Sequence, residues 1–285
     1  MTLLRQKMIE AMQQRGFSDC THESYLYAVT DLAQHFHKSP EQIQVGQIQE
    51  YFVYLAQKRH LCGATCRLYY HGIRFLYLQV LHWEQFDVPI HYPKLEQKIP
   101  ELLTQAEVKQ IILACANHKH RMMLMTCYGC GLRVSELVAL KVRHIDGERK
   151  LLRVEQGKGA KDRAVVISPG LLDQLRRYWL DYRPDPWLFP TRNNPPQHLQ
   201  RSTPQKVFSQ AKSKAGIEKV GGIHSLRHAY ATCQLENGMP IHQLQKLLGH
   251  KNIQSTLRYV HWIPGCHGGE SRMRDLVGDL EVSDA

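Results

Sequence analysis

The chain has 285 residues, of which 43% are hydrophobic and 22% charged, a composition typical of a soluble globular protein with room for two domains. No stretch approaches the roughly 18 uninterrupted apolar residues that a membrane-spanning helix needs. The opening segment, MTLLRQKMIEAMQQR, carries charges every few positions and lacks the apolar core of a signal peptide. We therefore expect a cytoplasmic protein that does not enter a membrane.

The charge balance favours an anionic partner. There are 37 lysine and arginine residues against 26 acidic ones, a formal net charge of +11, and 17 histidines can add to it near a polyanion. Such an excess favours nucleic acid or an anionic membrane surface. Charge alone does not choose between them, so the choice depends on specific motifs.

Eight cysteines invite two further interpretations, although in the cytosol they should be reduced. Cys127 and Cys130 form a C-x-x-C pair, which is found in redox sites and in zinc sites. No second pair completes a zinc site, although Cys115 and two histidines lie upstream. Residues 122–128 are apolar enough for a buried helix, in which cysteine behaves as a small hydrophobic residue. We therefore favour core packing for this pair.

The first ninety residues predict a small bundle of short helices. The four helices are expected near residues 3–15, 21–37, 47–58 and 64–81. The segment SPEQ at residues 39–42 adds a helix start signal, with Ser39 as the N-cap. Three prolines between residues 89 and 100, with Lys94 and Lys98 among them, predict an extended basic linker. The expected domains are therefore residues 1–88 and 101–285, joined by a linker at 89–100, with a C-terminal tail at 260–285.

The second domain is expected to be mixed, mainly α with a small antiparallel β-sheet. It opens on a capping box, in which Thr104 stands three residues before Glu107. Residues 150–156 and 163–168 alternate in hydrophobicity and predict two strands joined by a glycine-rich turn. Helices are expected at 170–182, at 204–215 with Thr203 as its N-cap, at 225–237 and at 240–248, the last ending at Gly249.

Six polar residues of the second domain are weak evidence singly and strong evidence together. They are Arg133, Lys158, His224, Arg227, His250 and Tyr259. Two arginines can grip the oxygens of one phosphate with fork-like, charge-assisted hydrogen bonds, and two histidines add donors. A lysine on a turn can protonate a leaving oxygen, and a tyrosine hydroxyl can act as the nucleophile. The set therefore suits attack on a phosphodiester.

The free-energy cost of ionising a tyrosine explains why so many cations are needed. A free tyrosine has a pKa near 10, so ionising it at pH 7 costs roughly 4 kcal/mol. Neighbouring positive charge lowers that cost and stabilises the extra negative charge of a five-coordinate transition state. Several cations around one phosphate can thus replace a metal ion. The acidic residues are scattered rather than clustered, so we predict no metal and no cofactor.

Five segments in the second domain resemble, in order, the motifs of the tyrosine recombinase (phage integrase) family. They are GLRVSEL at 131–137, GKGAKDR at 157–163, HSLRH at 224–228, LLGH at 247–250 and TLRY at 256–259. The resemblance covers the second domain almost completely, whereas the first domain resembles the SAM-like core-binding domain of the family with weaker motifs. It implies a site-specific recombinase that cleaves and rejoins DNA through a covalent 3′-phosphotyrosine intermediate, without metal or ATP.

The resemblance also implies roles for individual residues. Tyr259 would attack the scissile phosphate and become linked to a DNA 3′ end. Arg133 and Arg227 would clamp the phosphate, and His224 and His250 would complete the clamp. His224 would also be placed to take the tyrosine proton.

Two further residues are implied to assist the phosphate clamp. Lys158 would act as the general acid toward the 5′ hydroxyl. Glu136, one helical turn after Arg133, would support the site by holding a cationic neighbour. Among the 13 tyrosines, only Tyr259 follows the Leu-Gly-His segment at the family spacing, and Tyr230 has the spacing of a core residue.

Further basic residues are candidates for contacts to double-stranded DNA. They are Arg67, Arg74, Lys94, Lys98, Lys161 and Arg163. Phosphate contacts of this kind give affinity and salt dependence rather than sequence choice. Arg67 and Arg74 are seven residues apart and share a helical face, although a solvated face is nearly as good an explanation. The resemblance implies a clamp around specific recombination sites and a homotetramer on DNA, in which the tail docks on a neighbouring protomer or on its own.

Other functions remain open at this point. A DNA-binding protein of the same fold would not need Lys158 or Tyr259. A metal-dependent nuclease or transposase would need clustered carboxylates. A type IB topoisomerase would share the chemistry but only relax supercoils. Phage integration, integron cassette movement, transposon mobility and chromosome-dimer resolution are not separated, although no long insertion of the integron type precedes His224.

Overall fold

The computed structural model describes residues 2–88, 101–155, 162–192, 195 and 197–262. The chain forms two compact units, Met1–Lys98 and Ile99–Ala285. The predicted linker at 89–100 and the predicted tail from residue 263 onward lie outside the described residues. Within the described ranges, no helix has the length and apolar character needed to span a bilayer.

The N-terminal unit is a helical bundle, as predicted. Its helices are α1 (Leu3–Gln14), α2 (Asp19–Phe36), α3 (Val45–Gln57) and α4 (Gly63–Phe75), with a π-helical turn, Leu76–Val80, directly after α4. Gly16, with a φ of +65°, lies just beyond the end of α1, where a left-handed residue suits glycine. Ser39 is the N-cap of the next segment, with Pro40 in its first turn, as predicted, but its side chain makes no capping hydrogen bond and Pro40–Gln42 forms only one turn of 3₁₀ helix.

The core of this unit is made of residues on the inner faces of all four helices. Met8, Leu32, Leu55 and Ile73 are at most 1% exposed. Burying an aliphatic side chain of this size contributes about 1.5–3 kcal/mol each, so the bundle rests mainly on this face. The opposite face of α4 is exposed to solvent.

The C-terminal unit combines eight helices with one small sheet in the described part of the chain. The elements are α5 (Gln105–Leu113), α6 (His118–Gly129), α7 (Val134–Val138), β1 (Ile145–Asp146), β2 (Leu151–Val154), β3 (Arg163–Val166), α8 (Pro169–Tyr182), α9 (Ser202–Lys214), α10 (His224–Glu236), α11 (Ile241–Leu248) and α12 (Gln254–Trp262). The sheet is antiparallel in the order β1-β2-β3, with Leu152 opposite Val165. The predicted fold class is confirmed.

Two local differences from the sequence prediction have simple causes. Strand β1 has only two residues, which is too short to give a period-two pattern. Thr203 is not the N-cap of α9, because the helix already begins at Ser202 and Thr203 lies in its first turn. By contrast, the predicted capping box at α5 is present: the Thr104 N–H donates to Glu107 Oε2 at 2.7 Å, and the Glu107 N–H donates to Thr104 Oγ1 at 3.2 Å.

The cysteine pair of α6 belongs to the core of this unit. Cys127 and Cys130 are each 1% exposed and not joined in a disulfide. Burial raises the pKa of both thiols to about 12, so both stay protonated and unreactive at neutral pH. Their observed role is packing, as the apolar sequence around them suggested.

Candidate active site

The site is built around the C-terminal end of α11. The backbone turns there in a Schellman arrangement: the His250 N–H donates to the Gln245 carbonyl (3.1 Å) and the Gly249 N–H to the Lys246 carbonyl (3.0 Å). Gly249 has a φ of +62°, and a Cβ at this position would come within 3.0 Å of the Arg163 side chain. Glycine is therefore required for the turn and for the close approach of an arginine.

Three arginines from separate parts of the chain cap the C-terminal end of α11 with hydrogen bonds. Each donates to one carbonyl oxygen that the helix leaves without a backbone partner. The pairs are Arg163 Nε to Leu247 (2.8 Å), Arg227 Nη2 to Leu248 (2.6 Å) and Arg133 Nη2 to Gly249 (3.2 Å). Cations are also favoured at this end by the helix dipole. The end of α11 thereby gathers three positive charges that are far apart in sequence.

One buried carboxylate, Glu136 on α7, ties the same arginines together. Arg163 donates to both of its oxygens (2.7 and 2.8 Å), and Arg133 Nη1 donates to Oε1 at 2.8 Å. Arg227 Nη1 lies 3.8 Å from Oε2. Burial alone would oppose ionisation, but the hydrogen bonds and charge of Arg163, helped by Arg133, lower the pKa of Glu136 to about 2. Three cations therefore face one carboxylate.

Arg227 on α10 is the most deeply buried of the three arginines, at 0% exposed. Its Nη1 donates to the Gly131 carbonyl at 2.7 Å, at the sharp turn after α6. Desolvation and the charge of Arg133 lower its pKa to about 10, so it stays charged at neutral pH. Its Nε has no hydrogen-bond partner among the described residues. This buried donor is left for an acceptor that the described part of the chain does not supply.

His250 joins Arg227 to the tyrosine helix. Its Nε2 lies 3.0 Å from Arg227 Nη2, and its Nδ1 lies 2.8 Å from the Thr256 hydroxyl on α12. Its ring stacks on Tyr259, with 6.2 Å between centroids and 8° between planes. Burial, followed by the charges of Arg227 and Arg133, lowers the pKa of His250 to about 4. The imidazole is therefore neutral at pH 7.

Tyr259 itself is only 3% exposed. Its hydroxyl forms a hydrogen bond with His228 Nδ1 at 3.1 Å. Burial raises its pKa, while Arg227 and Arg133 act in the opposite direction. Trp262 packs edge-on against both the tyrosine ring (5.3 Å) and the His228 ring (5.4 Å). The ring of His224, at the exposed start of α10, lies 4.6 Å from that of His228.

The predicted residues fall into three groups. The structure brings together Arg133, Glu136, Arg227, His250 and Tyr259, with His224 at the edge of the same site. Lys158, together with the predicted DNA contacts Lys94, Lys98 and Lys161, lies outside the described residues. Arg67 and Arg74 are exposed on α4, and their contact with DNA stays a prediction.

Arg163 differs from its prediction. A DNA contact was expected, but its side chain is 9% exposed and each guanidinium nitrogen already donates to Glu136 or to Leu247. Its role in this structure is to hold Glu136 and the C-terminal end of α11 in place. The motif pattern could not reveal this, because residues 27 and 84 positions away supply the acceptors.

Sequence reasoning also missed the residue that holds the tyrosine hydroxyl. His228 was quoted as part of the HSLRH segment but was given no role. Its position one helical turn after His224 and directly after Arg227 is the only sequence signal for it. The proton-accepting role implied for His224 is not supported by this arrangement, since the hydrogen bond joins Tyr259 to His228.

Comparison with known proteins identifies the class. Residues 101–264 match the phage integrase family, and residues 4–85 match the N-terminal SAM-like domain of phage integrases. The chain therefore belongs to the phage integrase family. The prediction of a tyrosine recombinase is confirmed, and the protein is an enzyme of the DNA strand-transferase class that carries out site-specific recombination.

Relatives and solved structures agree with this assignment. The chain is 40% identical over 263 residues to y4qK of Sinorhizobium fredii, which is named as an integrase/recombinase, with 91% of this chain and 84% of that protein covered. It is 39% identical over 170 residues to the tyrosine recombinase XerA of Pyrococcus horikoshii, covering 59% of each. Its fold is similar to a lambda integrase dimer bound to a COC′ core site, with a TM-score of 0.73, 18% identity, and coverage of 90% and 75%.

Proposed function

We propose that this recombinase cleaves DNA with Tyr259, forming a covalent 3′-phosphotyrosine, and rejoins the strand to a different 5′ hydroxyl without metal or ATP. The observation that carries the proposal is the charge imbalance: Arg133, Arg163 and Arg227 share the single carboxylate of Glu136. A phosphodiester would supply the missing negative charge.

The phosphate would enter beside Arg133 and Arg227. The buried Nε–H of Arg227 is a ready donor for a non-bridging oxygen, and Arg133 is 20% exposed, which leaves part of its guanidinium accessible. A preorganised donor aimed at developing charge is worth about 3–4 kcal/mol in activation free energy. His250, held by Thr256, would complete the pocket, and His224 would line its exposed edge.

Bond making and bond breaking balance without an external energy source. The Tyr259 oxygen forms a bond to phosphorus while the bond from phosphorus to O5′ breaks. We assign Lys158 as the general acid that protonates O5′. Because the new phosphotyrosine ester keeps the energy of the old one, attack by another 5′ hydroxyl reverses the step.

We further propose that the protein assembles as a homotetramer on double-stranded DNA with specific recombination sites. It would act in the cytoplasm, on mobile genetic elements or in chromosome resolution. Family resemblance supports these assignments, and the formal net charge of +11 supports DNA as the partner. Arg67, Arg74, Lys94, Lys98 and Lys161 would contact phosphates along the duplex. Product analysis for exchanged ends separates recombination from simple supercoil relaxation.

The test is to trap the covalent intermediate on a nicked duplex, from which the short cleaved fragment diffuses away. We expect an adduct in which the protein is linked to the DNA 3′ end at the break, insensitive to EDTA and absent in Tyr259→Phe. Tyr230→Phe is the matched control, because it removes the hydroxyl of another buried tyrosine in the same apolar cluster. An adduct that survives in Tyr259→Phe, or cleavage that stops with EDTA, would contradict the proposal.

A further inference from the structure

The hydroxyl of Tyr259, the proposed nucleophile, is hydrogen-bonded to His228, a histidine without an assigned role. His228 Nδ1 lies 3.1 Å from Tyr259 Oη, and the two rings are 5.5 Å apart. Since Tyr259 is almost fully buried, its O–H needs a partner inside the protein. Trp262 packs over both rings and so limits the movement of each relative to the other.

The surroundings of His228 keep its imidazole neutral. The titratable and charged groups that bear on it in the described part of the chain are His224 and Arg227 on its own helix and Tyr259 on α12. Burial, followed by His224 and Arg227, lowers the pKa of His228 to about 4. A neutral imidazole has one accepting nitrogen. With the ring proton on Nε2, Nδ1 accepts the hydrogen bond from the phenol.

We propose that His228 is a catalytic residue that takes the proton from Tyr259 Oη as this oxygen attacks the scissile phosphorus, a proposal that rests on Tyr259 being the nucleophile. The phenol proton moves to Nδ1 as the bond from Oη to phosphorus forms. The separate general acid protonates O5′ as the bond from phosphorus to O5′ breaks. In the rejoining step, an incoming 5′ hydroxyl gives its proton to the deprotonated general acid as its oxygen bonds to phosphorus. The bond from phosphorus to Oη breaks, and Nδ1–H returns the proton to Oη.

Substrate binding strengthens this base at the right moment. Before DNA binds, His224 and Arg227 favour the neutral form of the His228 ring. The neutral ring is the form that can accept a proton. A bound phosphate brings negative charge next to Arg227 and Arg133, and negative charge favours the imidazolium form. Without an acceptor, the phenol would have to ionise at a pH well below its raised pKa. His224, which is exposed, is then left to contact the phosphate.

The test compares His228→Asn and His228→Ala with the wild type in single-turnover formation of the covalent adduct on a nicked duplex, over a range of pH. Asparagine keeps a polar amide where Nδ1 stood but cannot serve as a base. We expect both variants to be slowed by about 10²–10⁴-fold near neutral pH. The defect should shrink as the pH rises toward the pKa of the buried phenol, which burial raises above its ordinary value. His242→Ala, an exposed histidine on α11, is the matched control and should cleave like the wild type.

A second substrate separates the two proton transfers. When sulfur replaces the bridging 5′ oxygen, the leaving thiolate needs no proton. This substrate should restore cleavage by Lys158→Ala but not by His228→Asn. Rescue of His228→Asn by sulfur would overturn the proposal, as would wild-type rates at every pH in a His228→Asn variant that binds DNA normally. Failure of the wild type to form any adduct, or an adduct in Tyr259→Phe, would instead remove the proposed function itself.

Discussion

Two polar networks, one in each unit, use the same side-chain types with opposite results, the first of them half-buried and the second buried. In the N-terminal unit, Asp31 on α2 accepts from the Tyr51 hydroxyl at 2.6 Å and forms an ion pair with Arg59. One carboxylate there meets one cation, and burial together with Asp31 raises the pKa of Tyr51, so the phenol stays protonated. In the C-terminal unit, one carboxylate, Glu136, meets three arginines.

The difference lies in charge balance rather than in composition. The Asp31 network is neutral and its members satisfy one another, so it fixes the packing of α2 against α3. The Glu136 network keeps a surplus of positive charge beside a buried tyrosine. Buried charges are costly unless paired, so we expect a bound anion to balance this surplus. The unbalanced network therefore supports the proposed phosphate site more directly than the number of basic residues does.

The largest expected effect comes from removing the central carboxylate. Glu136→Gln keeps the shape of the side chain but leaves three arginines without their counter-charge. Breaking a buried ion pair on one side typically costs about 3–5 kcal/mol in the free energy of unfolding. Asp31→Asn should cost less, about 1–2 kcal/mol, because its hydrogen bonds partly survive and its partner Arg59 is more exposed. Chemical denaturation of both variants measures the difference. Equal losses would mean that charge balance does not distinguish the two networks.

Much of the fold and of the candidate site could be predicted from the sequence. The rest could not, because it depends on how distant elements pack. The helix boundaries near Gly16 and Gly249 follow from local backbone chemistry, and the capping box at Thr104 is contained in four residues. The motif spacing selected Tyr259 and the two clamp arginines. The burial of Arg163 and the hydrogen bond from Tyr259 to His228 depend instead on how α11 and α12 pack, which no local pattern encodes.

Acid should weaken the C-terminal unit in two pH windows. The pKa of Glu136 falls to about 2 in the folded protein, below its ordinary value of 4.5, so its stabilising contribution is full above pH 4.5 and is lost as the pH falls toward 2. The linkage is worth about 3 kcal/mol at most. His228 and His250 have folded pKa values of about 4, below the ordinary 6.5, so the unfolded chain gains protons first and stability also falls between pH 6.5 and 4.

The free energy of unfolding, measured across this range, checks both windows. Glu136→Gln should flatten the part of the curve below pH 4.5 and leave the part between pH 6.5 and 4. A variant curve that runs parallel to the wild type throughout would show that Glu136 does not titrate in folding.

The smallest expected effect is on DNA affinity, and it distinguishes the exposed Arg74 from Arg163 in the Glu136 network. Arg74, exposed on α4, should contact DNA if the proposal for this helix face holds. Arg74→Gln should then weaken DNA binding by about 1 kcal/mol and lower the salt slope of log K by about 1, with the cleavage rate at saturating DNA unchanged. Arg163→Gln should have the opposite effects: it should lower the free energy of unfolding and slow cleavage. The salt slope of log K should stay unchanged, because the Arg163 guanidinium already contacts Glu136 and the end of α11. Binding isotherms at several salt concentrations measure both slopes. If Arg163→Gln also reduced the slope, the side chain would reach phosphate in the complex, and a buried network would have to open when DNA binds.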